Sequence, residues 1–545
     1  MLCISAQAKA EVNREMYDVL IQNAKIIDGS GSAAYQGDVA VAGGRIAAVG
    51  KLDGAQAARV VDAAGRYAAP GFIDIHRHAD GAVFAPDFGE AELSQGLTSI
   101  VNGCCGLSAA PCFGQHRGEL ASYLPPVIGS PVRASAPDMA DYLNHLAKTP
   151  LPLNAGMFVG LGSARACVAG YEKERLSGDD TAAIAQILED SLRAGALGVS
   201  LGLGYEPEGY YTTEELIDAL RPVANRRAPV CVHMRQEGAG VVGALQEMLH
   251  IARELDLNLE ISHLKGIGRA YWHRAVPEML SLLEAARAEG LCVGYDVYPY
   301  TAGSTQLIHI LPPEAKAFTL EEVSQHLREP SARKAMRERM RTGTDFENIS
   351  LLVGWENIVV SSAAHEYLRK YEGFSIAEIA EREGRDPFDC AFDLLAADTC
   401  GTTMIDRITC EEDIECILRE EGSCVISDAI YPTAGMWHPR VCGSFARLFE
   451  EYVVRRGVLT VEKAVQKVTS LPAQRLGLSQ KGRIAEGMDA DIVLFDLARV
   501  HETGTFADPK RRAEGFDFVM VGGKFAVDEG KMTDVRAGGV LRGRF

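Results

Sequence analysis

The chain is 545 residues long, 47% hydrophobic and 7% aromatic, enough apolar material for a large core and for more than one structural unit. Its 55 basic residues against 74 acidic ones leave a formal charge of −19, which argues against a nucleic-acid or anionic-membrane surface. No apolar run approaches the ~18 residues that span a bilayer. The thirteen cysteines are odd in number and form no Cys-x-x-Cys pair, so a reducing cytoplasm suits the chain better than a disulfide framework.

Residues 1–15 read as a frayed leader without the basic start and apolar core of a signal peptide. From Tyr17 onward, short apolar runs bounded by Gly and Asp turns predict strands at 18–29, 37–41 and 45–50. Gly71-Phe72-Ile73-Asp74-Ile75 follows a Pro-Gly turn and reads as a short buried strand. Side chains alternate along such a segment, so His76 and His78 beyond it share one side. The middle of the chain alternates short apolar strands with amphipathic helices. Strands are expected at 99–101, 155–159, 197–200, 230–233, 259–263, 293–297 and 424–428, with helices such as 181–193 and 244–255 between them. The carboxyl end returns to strand-like text at 482–484, 490–496, 518–524 and 525–527.

This order predicts an α/β fold: a (β/α)8 TIM-like barrel over 71–475, with a charged helical insertion at about 311–345. A small β-sandwich domain is expected from both chain ends, 16–70 and 476–545. In such a barrel the residues that end the strands converge on one face, where active sites lie. Here those residues include His76, His78, Cys105, His233, His263 and Asp428. Taken singly, each has a plainer explanation: a satisfied core histidine, an inert buried thiol, a turn carboxylate. Together they form the donor set of a metal-dependent hydrolase. Zn²⁺ accepts imidazole, thiolate and carboxylate and lowers the pKa of water to ~7. Asp428 is the candidate proton shuttle. Cys104 leaves the choice of thiol open, and a cysteine nucleophile finds no oriented base in the sequence. Phe158-Val159-Gly160-Leu161-Gly162-Ser163-Ala164-Arg165 imitates a dinucleotide fingerprint, but Arg165 stands where its last small residue belongs.

The words Pro70 to Asp80, Gly103 to Pro111, Gly195 to Tyr205, His233-Met234-Arg235-Gln236-Glu237, Ile261 to Lys265, Tyr298 to Thr305, Ser427-Asp428 and His438-Pro439-Arg440 occur in order along the chain. In them, from about Tyr17 to Phe545, the chain resembles the amidohydrolase superfamily and, within it, the N-acyl-D-amino-acid deacylases. The resemblance implies a tight zinc at Cys105, His233 and His263, and a second, weaker metal at His76 and His78 with Cys105 bridging. It implies Asp428 as general base and a pocket for the substrate α-carboxylate made by Lys265, Tyr298, Ser304 and Arg440, with Tyr205 nearby. Arg's planar fork suits a carboxylate and Lys adds a point charge. The implied partner is a small N-acyl amino acid, with no nucleic acid and no membrane; a homo-oligomer is compatible with the sequence. Cys104, Leu161 and Ala429 depart from the family's usual Asn, His and Gly. A cyclic-amide hydrolase of hydantoinase or dihydroorotase type, and a non-catalytic oligomeric binding relative, are the rival readings.

Overall fold

The computed structural model describes residues 16–129 and 136–545, so the leader expected at 1–15 lies outside the described residues. Strands from both chain ends enter one nine-stranded sheet. They join where Tyr67–Pro70 pairs antiparallel with Ile492–Phe495, in the register Ala68↔Leu494 and Pro70↔Ile492. The sheet forks at Tyr17–Ile26: its first half pairs parallel with Ala57–Asp62 and its end with Tyr67–Pro70. Asn23, in the left-handed region at φ 58°, sits at the bulge that separates the halves. Ile21, Ile26, Val39, Val41, Leu494 and Met520 fill the core of this unit. Residues 482–484, expected as a strand, pair with none; Gly482 takes φ 80° and Ile484 N–H donates to the Asp28 carbonyl instead.

Parallel strands at Phe72–Asp74, Leu97–Asn102, Asn154–Met157 (continued by Val159–Gly160), Val199–Gly202, Pro229–His233, Asn258–Ile261, Val293–Val297 and Ser423–Val425 follow one another around the barrel. The ladder breaks at Phe158. Past the strand ends the ring is bridged by Arg77↔Ala429 and by His78 N–H to the Ala429 carbonyl at 2.9 Å. Alternation does the sorting: Val230 and Val232 face the helices, while Cys231 faces the barrel interior with Ile73, Val101, Cys104, Phe158 and Cys424. Leu541, near the carboxyl terminus, joins that interior cluster; its N–H donates to the Ala155 carbonyl.

Between the seventh and eighth barrel strands the chain builds a separate antiparallel sheet from Ala302–Gln306, Ile358–Ser362 and Thr403–Arg407. It has its own core, including Leu307, Ile310, Val360, Phe392, Leu395 and Met404. These elements run from 302 to 407 and so extend well beyond the insertion expected at about 311–345. Among the described residues no helix is long and apolar enough to cross a membrane.

Candidate active site

Of the strand-end residues singled out in the sequence, His78, Cys105, His233, His263 and Asp428 line one pocket, and His76 stands against Cys105 and Asp428 beside it. Asp74 ties the first strand to the last: its Oδ1 accepts from the His76 and Ser427 N–H groups, each at 3.2 Å, and its Oδ2 accepts from Ser427 Oγ at 2.5 Å. That knot brings His76 and His78 against Asp428, with their Nε2 atoms 3.4 and 3.3 Å from its Oδ1. Cys105, His263 and Asp428 all adopt positive φ (51°, 37° and 51°). Left-handed backbone at non-glycine residues costs of order 1–3 kcal/mol each and clusters at functional sites.

Cys105 Sγ lies 3.5 Å from His263 Nε2, and His263 Nε2 lies 3.1 Å from His233 Nδ1. Around a tetrahedral zinc with ordinary bond lengths, sulfur–nitrogen and nitrogen–nitrogen edges come to about 3.6 and about 3.3 Å. The residues present therefore fit such an ion. Burial holds His233 down to about 3 and His263 well below the ordinary histidine value, giving the neutral imidazoles a metal requires. A second set shares the same thiol: His76 Nε2 is 3.2 Å from Cys105 Sγ, and His76, His78, Cys105 and Asp428 form one close group. Cys104 is not part of it. Its thiol points to the Ile75 carbonyl at 3.7 Å, inside the barrel.

Burial opposes charge on Asp428, but Arg440, His78 and His76 override it and hold the carboxyl well below its usual range. Arg440 is fully buried, with Nη1 2.8 Å from Asp428 Oδ2 as an ion contact without hydrogen-bond alignment and Nη2 donating to the Ser304 carbonyl at 3.1 Å. Expected as a substrate-carboxylate donor, it lies behind Asp428 and off the pocket wall. Lys265, Tyr298, Ser304 and Tyr205 do line the pocket. The Lys265 ammonium meets Glu237 Oε1 at 2.6 Å and His263 Nδ1 at 2.7 Å. Ser304 Oγ donates to the Met404 carbonyl, and the Tyr205 ring lies 4.4 Å from that of His233 and 4.3 Å from that of His309.

Several site residues carried no assignment in sequence. Asp296, whose Oδ2 is 3.7 Å from His76 Nδ1, also ends a barrel strand, and the same positional rule could have found it. Glu237 lies within a quoted motif and backs both His233 and His263. His309, Glu347 and Asp406 come from the added segment, where no strand-end rule applies. A further close group, His273, Cys410 and Asp413, stands outside the pocket wall, with Asp413 accepting from the His273 N–H.

The amidohydrolase family model matches residues 425–527. The D-aminoacylase of Alcaligenes xylosoxydans xylosoxydans is 33% identical over 538 residues, covering 98% of this chain and 99% of that protein. The N-acyl-D-glutamate deacylase of the same organism is 34% identical, covering 94% and 93%. Among solved structures, the N-acyl-D-glutamate deacylase of Bordetella bronchiseptica, complexed with zinc and a phosphonate mimic of the reaction's tetrahedral intermediate, superposes with a TM-score of 0.83 at 30% identity, over 97% of this chain and all of that one. Hydantoinase structures at 16% and 17% identity share the fold alone. On full-length similarity, the chain belongs to the D-aminoacylase family of amidohydrolases.

Proposed function

We propose that this protein is a zinc-dependent hydrolase that removes the acyl group from N-acyl-D-amino acids, giving a carboxylate and a free D-amino acid. The observation that carries the reading is the Cys105–His233–His263 cradle with the Asp428 carboxylate beside it, in a chain similar from end to end to D-aminoacylase. A zinc ion there supplies electrophilic pull on the amide carbonyl and a water of lowered pKa. Asp428, ionised at neutral pH and fixed by Arg440, takes the proton of the attacking water and returns it to the departing amine. Amide and water thus become carboxylate and amine, with no other reagent. Lys265 and Tyr298, on the wall next to the cradle, are the donors for the α-carboxylate. His76 and His78, with Cys105 shared, form the second and weaker metal position.

The test is amine release from paired N-acetyl-D- and N-acetyl-L-amino acids, run with metal analysis of the purified protein. Release from the D isomers with zinc bound is the expected outcome. Turnover of hydantoins or dihydroorotate in place of open-chain amides would install the cyclic-amide rival, and absence of turnover from a zinc-loaded chain would favour a binding protein.

A further inference from the structure

The two curated relatives differ in the substrate they are named for, yet match this chain almost equally, at 33% and 34% identity. Overall similarity therefore does not choose the amino-acid side chain, and the pocket wall has to. That wall carries the carboxylates Glu237, Glu347, Asp406 and Asp428, and among the described residues its one Lys or Arg is Lys265. Lys265 is engaged by Glu237, and Asp428 by Arg440 from behind. Glu347 and Asp406 enter no ion pair among the described residues. Glu347 Oε2 accepts from the Glu237 and Gly238 N–H groups, while its Oε1 is buried without a hydrogen-bond partner. Asp406, on the strand Thr403–Arg407, is 4% exposed and opens onto the same cavity.

A buried carboxylate without a cation is expensive to ionise. Burial accordingly pushes Asp406 up to about 6 and Glu347 up to about 7. A second carboxylate on the substrate would add to this imbalance; a cation would relieve it. Glu347, Asp406 and Lys265 line one cavity, so a substrate whose α-carboxylate meets Lys265 brings its side chain into the same space as the two carboxylates. Ile267, Ile349 and Ile408 line the same wall and suit a methylene stem.

We infer that Glu347 and Asp406 form a cation-accepting side-chain subsite, so that the preferred substrates are N-acyl-D-amino acids with basic side chains, of the D-lysine and D-arginine class, and acidic ones are rejected. The inference rests on the deacylase reading above. Its test compares kcat/KM of the zinc-loaded full-length chain for N-acetyl-D-lysine, N-acetyl-D-arginine, N-acetyl-D-leucine and N-acetyl-D-glutamate. The basic substrates should exceed D-leucine by about tenfold and D-glutamate by about a hundredfold. In Glu347→Gln and Asp406→Asn the D-lysine to D-leucine ratio should fall by about tenfold. A wild-type preference for D-glutamate or D-leucine overturns the subsite while leaving the deacylase standing, and so does a ratio that neither variant moves. If no D substrate is hydrolysed but L isomers or cyclic amides are, the deacylase reading falls and the subsite with it. The wild-type ranking decides the matter even if a variant fails to fold.

Discussion

Glu237 Oε1 stands 3.0 Å from His263 Nδ1, on the side of the ring opposite Cys105. Its other oxygen lies 3.6 Å from His233 Nε2. One carboxylate thus backs both imidazoles of the Cys105–His233–His263 group, on His233 Nε2 and His263 Nδ1, the nitrogens turned away from the contact between the two rings. Such partners fix ring orientation and raise ligand basicity, and their loss costs about 10–100-fold in metal affinity. Glu237→Gln should weaken zinc binding by that amount in competition with a chromophoric chelator. Unchanged affinity would reduce Glu237 to a partner of Lys265.

The neighbouring thiols should behave oppositely. Cys105→Ala removes an atom common to both donor sets and should release the tightly held zinc, read as metal per chain after gel filtration. Cys104→Ala removes a sulfur that points into the barrel interior toward Ile75, and zinc content should stay at the wild-type level. Zinc lost from the Cys104 variant and kept by the Cys105 variant would reverse the choice of ligand.

That the histidines, Cys105 and Asp428 come together is legible in sequence because parallel strands of a barrel deliver their last residues to one face, so position in a short apolar run is already position in space. Asp296 obeys that rule and still went unassigned, since a carboxylate ending Val293–Val297 reads equally well as a turn residue. Arg440 shows the other limit. Its motif places it near the site, but whether its fork meets a ligand or Asp428 depends on a side-chain direction that spacing does not encode. Glu347 and Asp406 reach the pocket from a segment with its own sheet and core, and no periodicity in the sequence reports which of its residues look toward the barrel.

Arg440 and Asp428 can be separated by how kcat and KM respond. If Arg440 acts by holding Asp428, Arg440→Gln should lower kcat by about tenfold or more with little change in KM. Were it a direct donor to the α-carboxylate, KM would rise and kcat would stay. Asp428→Asn should cut kcat by about 10²–10⁴ while zinc remains bound. Near-normal turnover of that variant with metal in place would remove Asp428 from the proton transfer.

Asp406 and Glu347 also impose a pH dependence of fixed sign. The charges that act on Asp406 are those of Lys265, Arg440 and Glu237; on Glu347 they are those of Glu237 and Lys265, with the Glu237 and Gly238 N–H groups donating to it. Burial is the leading cause in both, placing Asp406 at about 6 and Glu347 at about 7. Both pKa values are raised, so the folded chain binds more protons here than the unfolded one between the ordinary carboxylate range and these values. The two groups therefore make the fold less stable as pH climbs through that window. A cationic side chain binds their ionised forms and draws back part of that loss. KM for N-acetyl-D-lysine, divided by KM for N-acetyl-D-leucine on the same preparation, should then fall by about tenfold from about pH 5.5 to about pH 8. Taking the quotient removes pH effects on zinc and on the hydrolytic step, which both substrates share. Glu347→Gln should flatten the upper part of the curve and Asp406→Asn the lower part, because each variant deletes one of the two titrations. A quotient that is level in the wild-type protein would detach these carboxylates from the substrate side chain.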